Sequence, residues 1–180
     1  KFPPPGSSWV LADKNTGSYG SGTGQVTIRA LGEQTWEGKK VMASTDGSST
    51  FYLDLQGRFL ASVRGTTPVI TTEPYDAVFD WPLFVGKSWV NRFRMRDHER
   101  GRTFDSVTWD GEVKTYEDVT TPAGTFKTFK IMHENPFVRV ERWWSPDLGL
   151  IVKTKWERYG TYYLGAGTRE TELVSYDIKR

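Results

Sequence analysis

The sequence predicts an all-β protein in which antiparallel hairpins form a curved sheet, an open barrel or a sandwich. Apolar and polar residues alternate through many short segments, which is the period-2 pattern of half-buried strands. Turns that contain glycine or proline separate these segments about every 8–12 residues, as in sandwiches and barrels. No segment carries an apolar stripe at positions i, i+3 and i+4, so no helix is predicted.

The clearest strands lie in the stretch from Thr121 to Thr154. Residues 122–124, 135–136 and 145–149 have the proline, asparagine and glycine content of turns. Between these turns apolar side chains occupy alternate positions, so three consecutive strands are predicted. Further strands are predicted over 9–13, 25–31, 39–44, 49–55, 58–64, 89–97, 102–109, 112–119, 155–163 and 168–178.

Two local features refine this pattern. Asp110-Gly111 stands between two of the predicted strands and is typical of a type I′ turn, so a tight hairpin is predicted there. The glycine-rich residues 17–24 match neither phosphate-binding glycine motif and are not followed by a helical pattern, which favours a flexible hairpin loop.

The chain has the length of one domain, which we place at residues 1–180. Gly6-Ser-Ser-Trp-Val10 recurs as Gly86-Lys-Ser-Trp-Val90, which indicates two related halves, 6–64 and 86–178. A connector over 65–85 joins them, with a short strand over 68–72 as the alternative. Chance reuse of glycine, tryptophan and threonine in a β-rich chain is the alternative. Two such halves could pair edge to edge and remove exposed strand edges.

Composition excludes several functional classes. The net charge of +2 gives no electrostatic basis for binding nucleic acid, and no apolar run approaches the length of a bilayer-spanning helix. The absence of cysteine excludes disulfides, thiolate nucleophiles and cysteine-ligated zinc. The eight tryptophans indicate an aromatic core, with binding surfaces as the less common use of such rings.

An alternating row of basic residues is one candidate binding site. Arg92, Arg94 and Arg96 share one face of a predicted strand. The alternation continues through His98, Arg100 and Arg102, and the basic groups stay close even with the turn predicted over 98–101. Guanidinium groups in such a row could bind the phosphate or carboxylate groups of a lipid head group, a glycan or a nucleic acid. The alternative is a solvent-facing surface paired with acidic neighbours, for which we name Glu112, Glu134 and Glu141.

The adjacent residues Trp143 and Trp144 form a second candidate site. Neighbouring residues of a strand point to opposite faces, so the two rings are not expected to enter the same core. One ring is then expected outside the sheet or on the wall of a groove. A curved sheet with an open mouth and a spare tryptophan could accept an acyl chain or a sugar.

The sequence contains no recognisable catalytic or metal-binding motif. His98 and His133 lack the spacing of metal ligands, and no nucleophile elbow is present. No cofactor and no metal site are therefore predicted. Carboxylates that could form an acid and base pair across strands keep a hydrolase open as an alternative; they are Asp105, Asp110, Glu112, Glu117 and Asp118.

Three motifs carry a resemblance to a known group of proteins. They are the Pro-Leu-x-x-Gly-Lys-Ser-Trp order of residues 82–89, the segment TPAGTFKTFKI of residues 121–131, and the segment WWSPDLGLIVK of residues 143–153. This order resembles a widespread group of exported bacterial proteins with a PAGtF turn and strand followed by WySPdlGlvvK. The resemblance implies an antiparallel β fold and a periplasmic or envelope location, sometimes as a lipoprotein, and it brings no established activity.

The function expected from the sequence is therefore a non-enzymatic binding or structural module of the bacterial envelope, outside the cytoplasm. Its expected partner is an amphipathic or anionic envelope ligand, and not a nucleic acid. The chain opens at Lys1 without an initiator methionine, which we attribute to removal of a leader, with an expression boundary as the alternative. The functional alternatives are carriage of a lipid in a β cavity, anionic-polymer binding by the arginine row, and hydrolysis at an acidic site.

Overall fold

The structure, a computed structural model, describes residues 2–179 as twelve strands that close into one barrel. Lys1 and Arg180, the ends of the predicted domain, lie outside the described residues. The strands are β1 (Ser8–Gly17), β2 (Gly22–Trp36), β3 (Lys39–Thr45), β4 (Thr50–Leu53), β5 (Phe59–Arg64), β6 (Thr67–Asp76), β7 (Ser88–Asp97), β8 (Arg102–Thr121), β9 (Gly124–Glu134), β10 (Val138–Ser145), β11 (Leu150–Arg158) and β12 (Gly167–Asp177).

Each strand pairs in antiparallel fashion with its sequence neighbours, and β1 pairs with β12 to close the sheet. The closing register places Trp9 opposite Tyr176 and Leu11 opposite Leu173, with a bulge between Val10 and Leu11. Closure pairs the two edges that an open sheet would expose. The all-β antiparallel prediction is confirmed, and the closed barrel is the form that the chain adopts.

Because the strands alternate in direction, their turns divide between two ends of the barrel. The turns over 54–58, 77–87 and 146–149 lie at one end, which we call the mouth. The turns over 18–21, 135–137 and 159–166 lie at the other, which we call the far end. The glycine-rich residues belong to the far-end hairpin between β1 and β2, as the sequence indicates.

The predicted hairpin at Asp110-Gly111 is wrong, because β8 runs unbroken from Arg102 to Thr121. Gly111 is required there for space: a Cβ atom at this position would lie 2.4 Å from Cε2 of Trp89. Trp89 stands directly opposite Gly111 on β7, and its ring covers the glycine. The glycine therefore permits close packing of a ring on the sheet and does not mark a turn.

The connector predicted over 65–85 contains a full strand. β6 occupies Thr67–Asp76 and bridges β5 and β7, so it completes the sheet. Its register to β5 shifts at two places, and this irregularity explains why its alternation is weak in the sequence. The remaining part, residues 77–87, is an irregular loop at the mouth. Duplication of the two halves stays a prediction.

Three clusters of buried side chains fill the fold. One gathers Phe93, Trp109, Val138 and Val140, and a second gathers Val113, Ile131 and Trp144. The third gathers Trp143, Val152 and Leu173. Among residues 2–179, no helix has the length and apolar character needed to cross a membrane.

Candidate functional site

A cavity of about 580 Å³ opens at the mouth of the barrel. Its volume falls within the range of about 300–1,000 Å³ that is usual for small-molecule sites. Among residues 2–179, none that lines it has a charged side chain, and threonine, serine and glutamine supply its few polar side chains. The lining residues are Phe2, Pro3, Trp9, Leu11, Ala30, Met42, Ala43, Ser44, Leu53, Leu55, Gln56, Gly57, Phe79, Trp81, Trp144, Gly149, Leu150, Ile151, Thr154 and Thr171.

Trp144 forms one wall of this cavity, and Trp143 lies elsewhere. A bulge between the two tryptophans sets Trp143 opposite Lys153 and Trp144 opposite Ile151, so β11 carries one extra residue. The tryptophans are 6% and 8% exposed and belong to different buried clusters. Neither ring is free on the outer surface, and only Trp144 reaches the cavity.

Trp143 has a structural environment of its own. Its indole Nε1 donates a hydrogen bond to Oε1 of Glu117 at 2.8 Å. The ammonium groups of Lys130 and Lys153 lie 4.9 and 5.9 Å from the ring centroid. These contacts satisfy the polar edge and the face of the ring, so the structure uses Trp143 for packing.

Three aromatic rings meet at the cavity wall. Trp81 stacks on Phe79 with ring centroids 5.2 Å apart, and it contacts Trp144 edge-on at 4.9 Å. The indole Nε1 of Trp81 donates a hydrogen bond to the carbonyl of Gln56 at 2.9 Å, which ties the loop over 77–87 to the β4–β5 turn. Gly57 of that turn has φ of +83°, a conformation that favours glycine. These contacts hold the rim of the mouth in place.

The floor of the cavity is polar. Thr154 and Thr171 line it from neighbouring strands and are joined by a hydrogen bond of 2.7 Å between their hydroxyls. Thr154 stands directly opposite Arg142 on β10. Side chains of directly opposed residues share one face of a sheet, so Arg142 also points into the barrel.

The buried side chains of Arg142 and His133 form a polar cluster inside the barrel with the partly buried Asp76. Nη1 of Arg142 donates to Nδ1 of His133 at 2.9 Å, and the guanidinium carbon lies 5.0 Å from the centroid of the Trp156 ring. Burial lowers the pKa of Arg142 to about 10, although the negative charge of Asp76 opposes the shift. Burial also raises the pKa of Asp76 to about 6, and the positive charge of Arg142 opposes that shift.

His133 is held neutral by this environment. Burial first, and then the charge of Arg142, lower its pKa well below the ordinary value. Because a guanidinium can only donate, Nδ1 of His133 accepts and its proton is on Nε2. In a hydrolytic triad, a carboxylate accepts a hydrogen bond from Nδ1–H of the histidine and orients the ring. Here Arg142 donates to Nδ1 of His133, so the hydrogen bond has the opposite direction. The hydrolase alternative gains no support from His133.

The predicted arginine row has the expected placement but is partly neutralised. Arg92, Arg94 and Arg96 are exposed on β7, while the residues between them face inward. Nε of Arg94 forms an ion pair with Asp105 at 2.9 Å, and Glu73 stands opposite Arg94 on β6. The middle of the row is therefore balanced by acidic neighbours. Binding of an anionic polymer by this row stays a prediction.

His98 does not continue the row. β7 ends at Asp97, and the backbone amide of His98 donates to the carbonyl of Val69 at 2.9 Å. The imidazole Nε2 lies 2.9 Å from the hydroxyl of Thr71. The acidic partners named from the sequence also lie elsewhere: Glu112 pairs with Lys114, Glu141 with Lys130, and Glu134 accepts from the hydroxyl of Tyr159.

The described residues, 2–179, contain no group of three or more histidine, aspartate and glutamate side chains arranged to hold a metal ion. The sequence-based candidates thus contribute one residue, Trp144, to the cavity. The residues that sequence reasoning missed are the loop aromatics Phe79 and Trp81, the N-terminal Phe2, and the interior Arg142.

Comparison with known proteins shows the fold and no family. No family model and no curated protein matches the chain. A candidate exported protein with a YmcC-like fold from Bacteroides fragilis aligns with a TM-score of 0.50 at 14% identity, over 98% of each chain. The hypothetical lipoprotein YmcC from Escherichia coli aligns with a TM-score of 0.49 at 11% identity, over 95% of this chain and 87% of that one. A candidate lipoprotein from Parabacteroides distasonis aligns with a TM-score of 0.45 at 16% identity, over 98% and 97%.

Proposed function

We propose that this chain is a non-enzymatic binding module of the bacterial envelope that holds the apolar part of an amphipathic ligand in its mouth cavity. The observation that carries the proposal is the cavity of about 580 Å³, whose described lining residues are mainly aromatic and aliphatic and include no charged side chain. Such a wall favours an aliphatic chain, because contact between the chain and the wall releases the water that covered both apolar surfaces. No charged group of the wall loses its hydration when the chain binds.

The lining residues support one orientation of such a ligand. Phe79, Trp81 and Trp144 supply a wall of flat rings, and the hydroxyls of Thr154 and Thr171 close the bottom. A charged head group would find no partner within this wall, so it would stay at the mouth in water. The ligand class is therefore a molecule with one apolar chain and a polar head, such as a lysolipid.

The proposed location outside the cytoplasm has two supports. One is the resemblance of residues 121–131 and 143–153 to exported bacterial proteins. The other is the fold shared with the candidate exported protein of Bacteroides fragilis. A carrier or binding module needs no catalytic group. His133 and Trp143 are engaged in hydrogen bonds within the protein, to Arg142 and Glu117, and this agrees with such a module.

Native mass spectrometry with lysophosphatidylcholine tests the cavity. The wild-type chain is expected to show a mass increase of one lipid, and Met42→Trp, which fills the cavity from β3, is expected to reduce that adduct at least about tenfold. Val90→Trp is the matched control, because Val90 is 68% exposed on the outer face of β7. Equal adducts in the wild type and Met42→Trp, or no adduct in the wild type, would contradict the proposal.

A further inference from the structure

Exposed apolar side chains are concentrated at the mouth of the barrel. Leu55 in the β4–β5 turn is 51% exposed, and Trp81, Phe84 and Val85 in the loop over 77–87 are 40%, 55% and 53% exposed. We call these four residues the mouth patch. Among the described far-end turns, only Phe137, at 49%, exposes a large apolar side chain to this extent. The apolar surface therefore lies beside the entrance to the cavity, which Leu55 and Trp81 also line.

The charged residues in the same two turns are paired. Nε of Arg58 lies 2.5 Å from Oδ2 of Asp54, and Nζ of Lys87 lies 3.1 Å from Oδ2 of Asp80. Lys87 also donates to the carbonyl of Pro82 at 3.0 Å, which holds its ammonium group within the loop. Each of these two turns thus presents one charge of each sign, and the 146–149 turn adds the exposed carboxylate of Asp147. The three mouth turns therefore carry no excess of positive charge that would attract anionic lipid.

We propose that the mouth patch docks on the surface of a lipid bilayer, where the apolar ligand passes between the membrane and the cavity. This inference rests on the proposed function, because a single-chain amphiphile resides mainly in bilayers and must leave one to enter an uncharged cavity. Large apolar side chains such as Trp81 and Phe84 are suited to burial at the boundary between head groups and acyl chains. A mouth without excess positive charge fits a zwitterionic surface and does not favour an anionic one.

Docking at this face has a geometric consequence for the ligand. Leu55 and Trp81 belong both to the mouth patch and to the cavity wall, so the docked surface and the cavity share two side chains. A chain that leaves the bilayer beside Trp81 would reach Phe79 and Trp144 without crossing open water. The exposed patch and the cavity form one continuous apolar path.

Flotation of the protein with phosphatidylcholine vesicles tests this docking. The wild-type chain is expected to float with the vesicles at both low and molar salt, because burial of apolar surface drives the binding. The double variant Phe84→Ser with Val85→Ser is expected to weaken vesicle binding about tenfold or more. Phe137→Ser is the matched control, since it removes an equally exposed ring from the far end and is expected to leave binding unchanged.

Each other outcome overturns the docking proposal. Failure of the wild type to float, or equal flotation of the double variant, removes the role of the mouth patch. Binding that needs anionic lipid and is lost at molar salt would assign the membrane contact to cationic residues instead. If sedimentation shows that the double variant abolishes a dimer, the occupant is a second copy of the chain.

A lysolipid adduct that persists in native mass spectra of the double variant verifies its fold and keeps the cavity proposal separate from this one.

Discussion

Replacing Trp144 by alanine is expected to lower the free energy of unfolding by about 3–5 kcal/mol. The indole packs in a buried cluster with Val113 and Ile131 and contacts the rings of Phe79 and Trp81. Its removal extends the mouth cavity into the core, and closed strands cannot collapse around the gap. Equilibrium unfolding in urea, followed by circular dichroism, measures the loss.

Trp36→Ala is the matched control for this variant. Trp36 lies at the end of β2 and stacks on Tyr52 with centroids 5.5 Å apart, away from the buried clusters. Its loss is expected to cost about 0.5–1.5 kcal/mol, the usual contribution of one aromatic pair. If Trp144→Ala costs no more than Trp36→Ala, the ring of Trp144 does not support the cavity as described.

Replacing Asp76 by asparagine is expected to stabilise the protein at neutral and alkaline pH. Burial raises the pKa of Asp76 to about 6, so the folded chain holds this proton more tightly than the unfolded chain does. Stability from this group is therefore greatest near pH 4, falls as the pH rises to about 6, and stays reduced above that. At about 1.4 kcal/mol per pKa unit, Asp76→Asn gains up to about 3 kcal/mol at pH 7.5 and nothing at pH 4.

The pKa shift of His133 changes the stability with pH in the opposite direction, so its contribution must be separated from that of Asp76. Its pKa is lowered well below the ordinary value, so the unfolded chain takes up a proton that the folded chain refuses, and stability falls below about pH 6.5. Comparing variant with wild type at each pH cancels this contribution. Asp105→Asn, which removes an exposed partner of Arg94, is the control and is expected to change stability by less than about 1 kcal/mol. A less stable Asp76→Asn at pH 7.5 would mean that attraction to Arg142 outweighs the burial of the carboxylate.

The strands were predictable from sequence because apolar and polar residues alternate in them. The errors arose at residues whose role depends on a contact with another strand. Gly111 has the appearance of a turn residue until Trp89 is seen to lie on it. β6 was obscured by two register shifts, which interrupt the alternation that identifies a strand. The closing pair of β1 and β12 joins residues that are far apart in the chain, and local patterns carry no information about such contacts.

The site was less predictable than the fold. Arg142 continues the inward alternation of Val138 and Val140, so its interior position follows from the pattern, but an arginine at such a position is normally assigned to the surface. Phe79 and Trp81 belong to an irregular loop, where no periodicity indicates which side chains turn inward. Trp144 could be selected as one member of a pair, and the bulge that separates it from Trp143 is visible only in the register of β11.

Titration of the isotopically labelled protein with lysophosphatidylcholine, below its micellar concentration and followed by ¹H–¹⁵N correlation spectra, tests the central claim most directly. The account predicts that the indole Nε1–H signals of Trp81 and Trp144 shift, together with backbone amides around Leu53 and Ile151. It predicts that the amides of Arg92 to Arg96 stay in place. Shifts confined to that arginine face, or unchanged spectra at saturating lipid, would contradict a ligand-binding cavity at the mouth of the barrel.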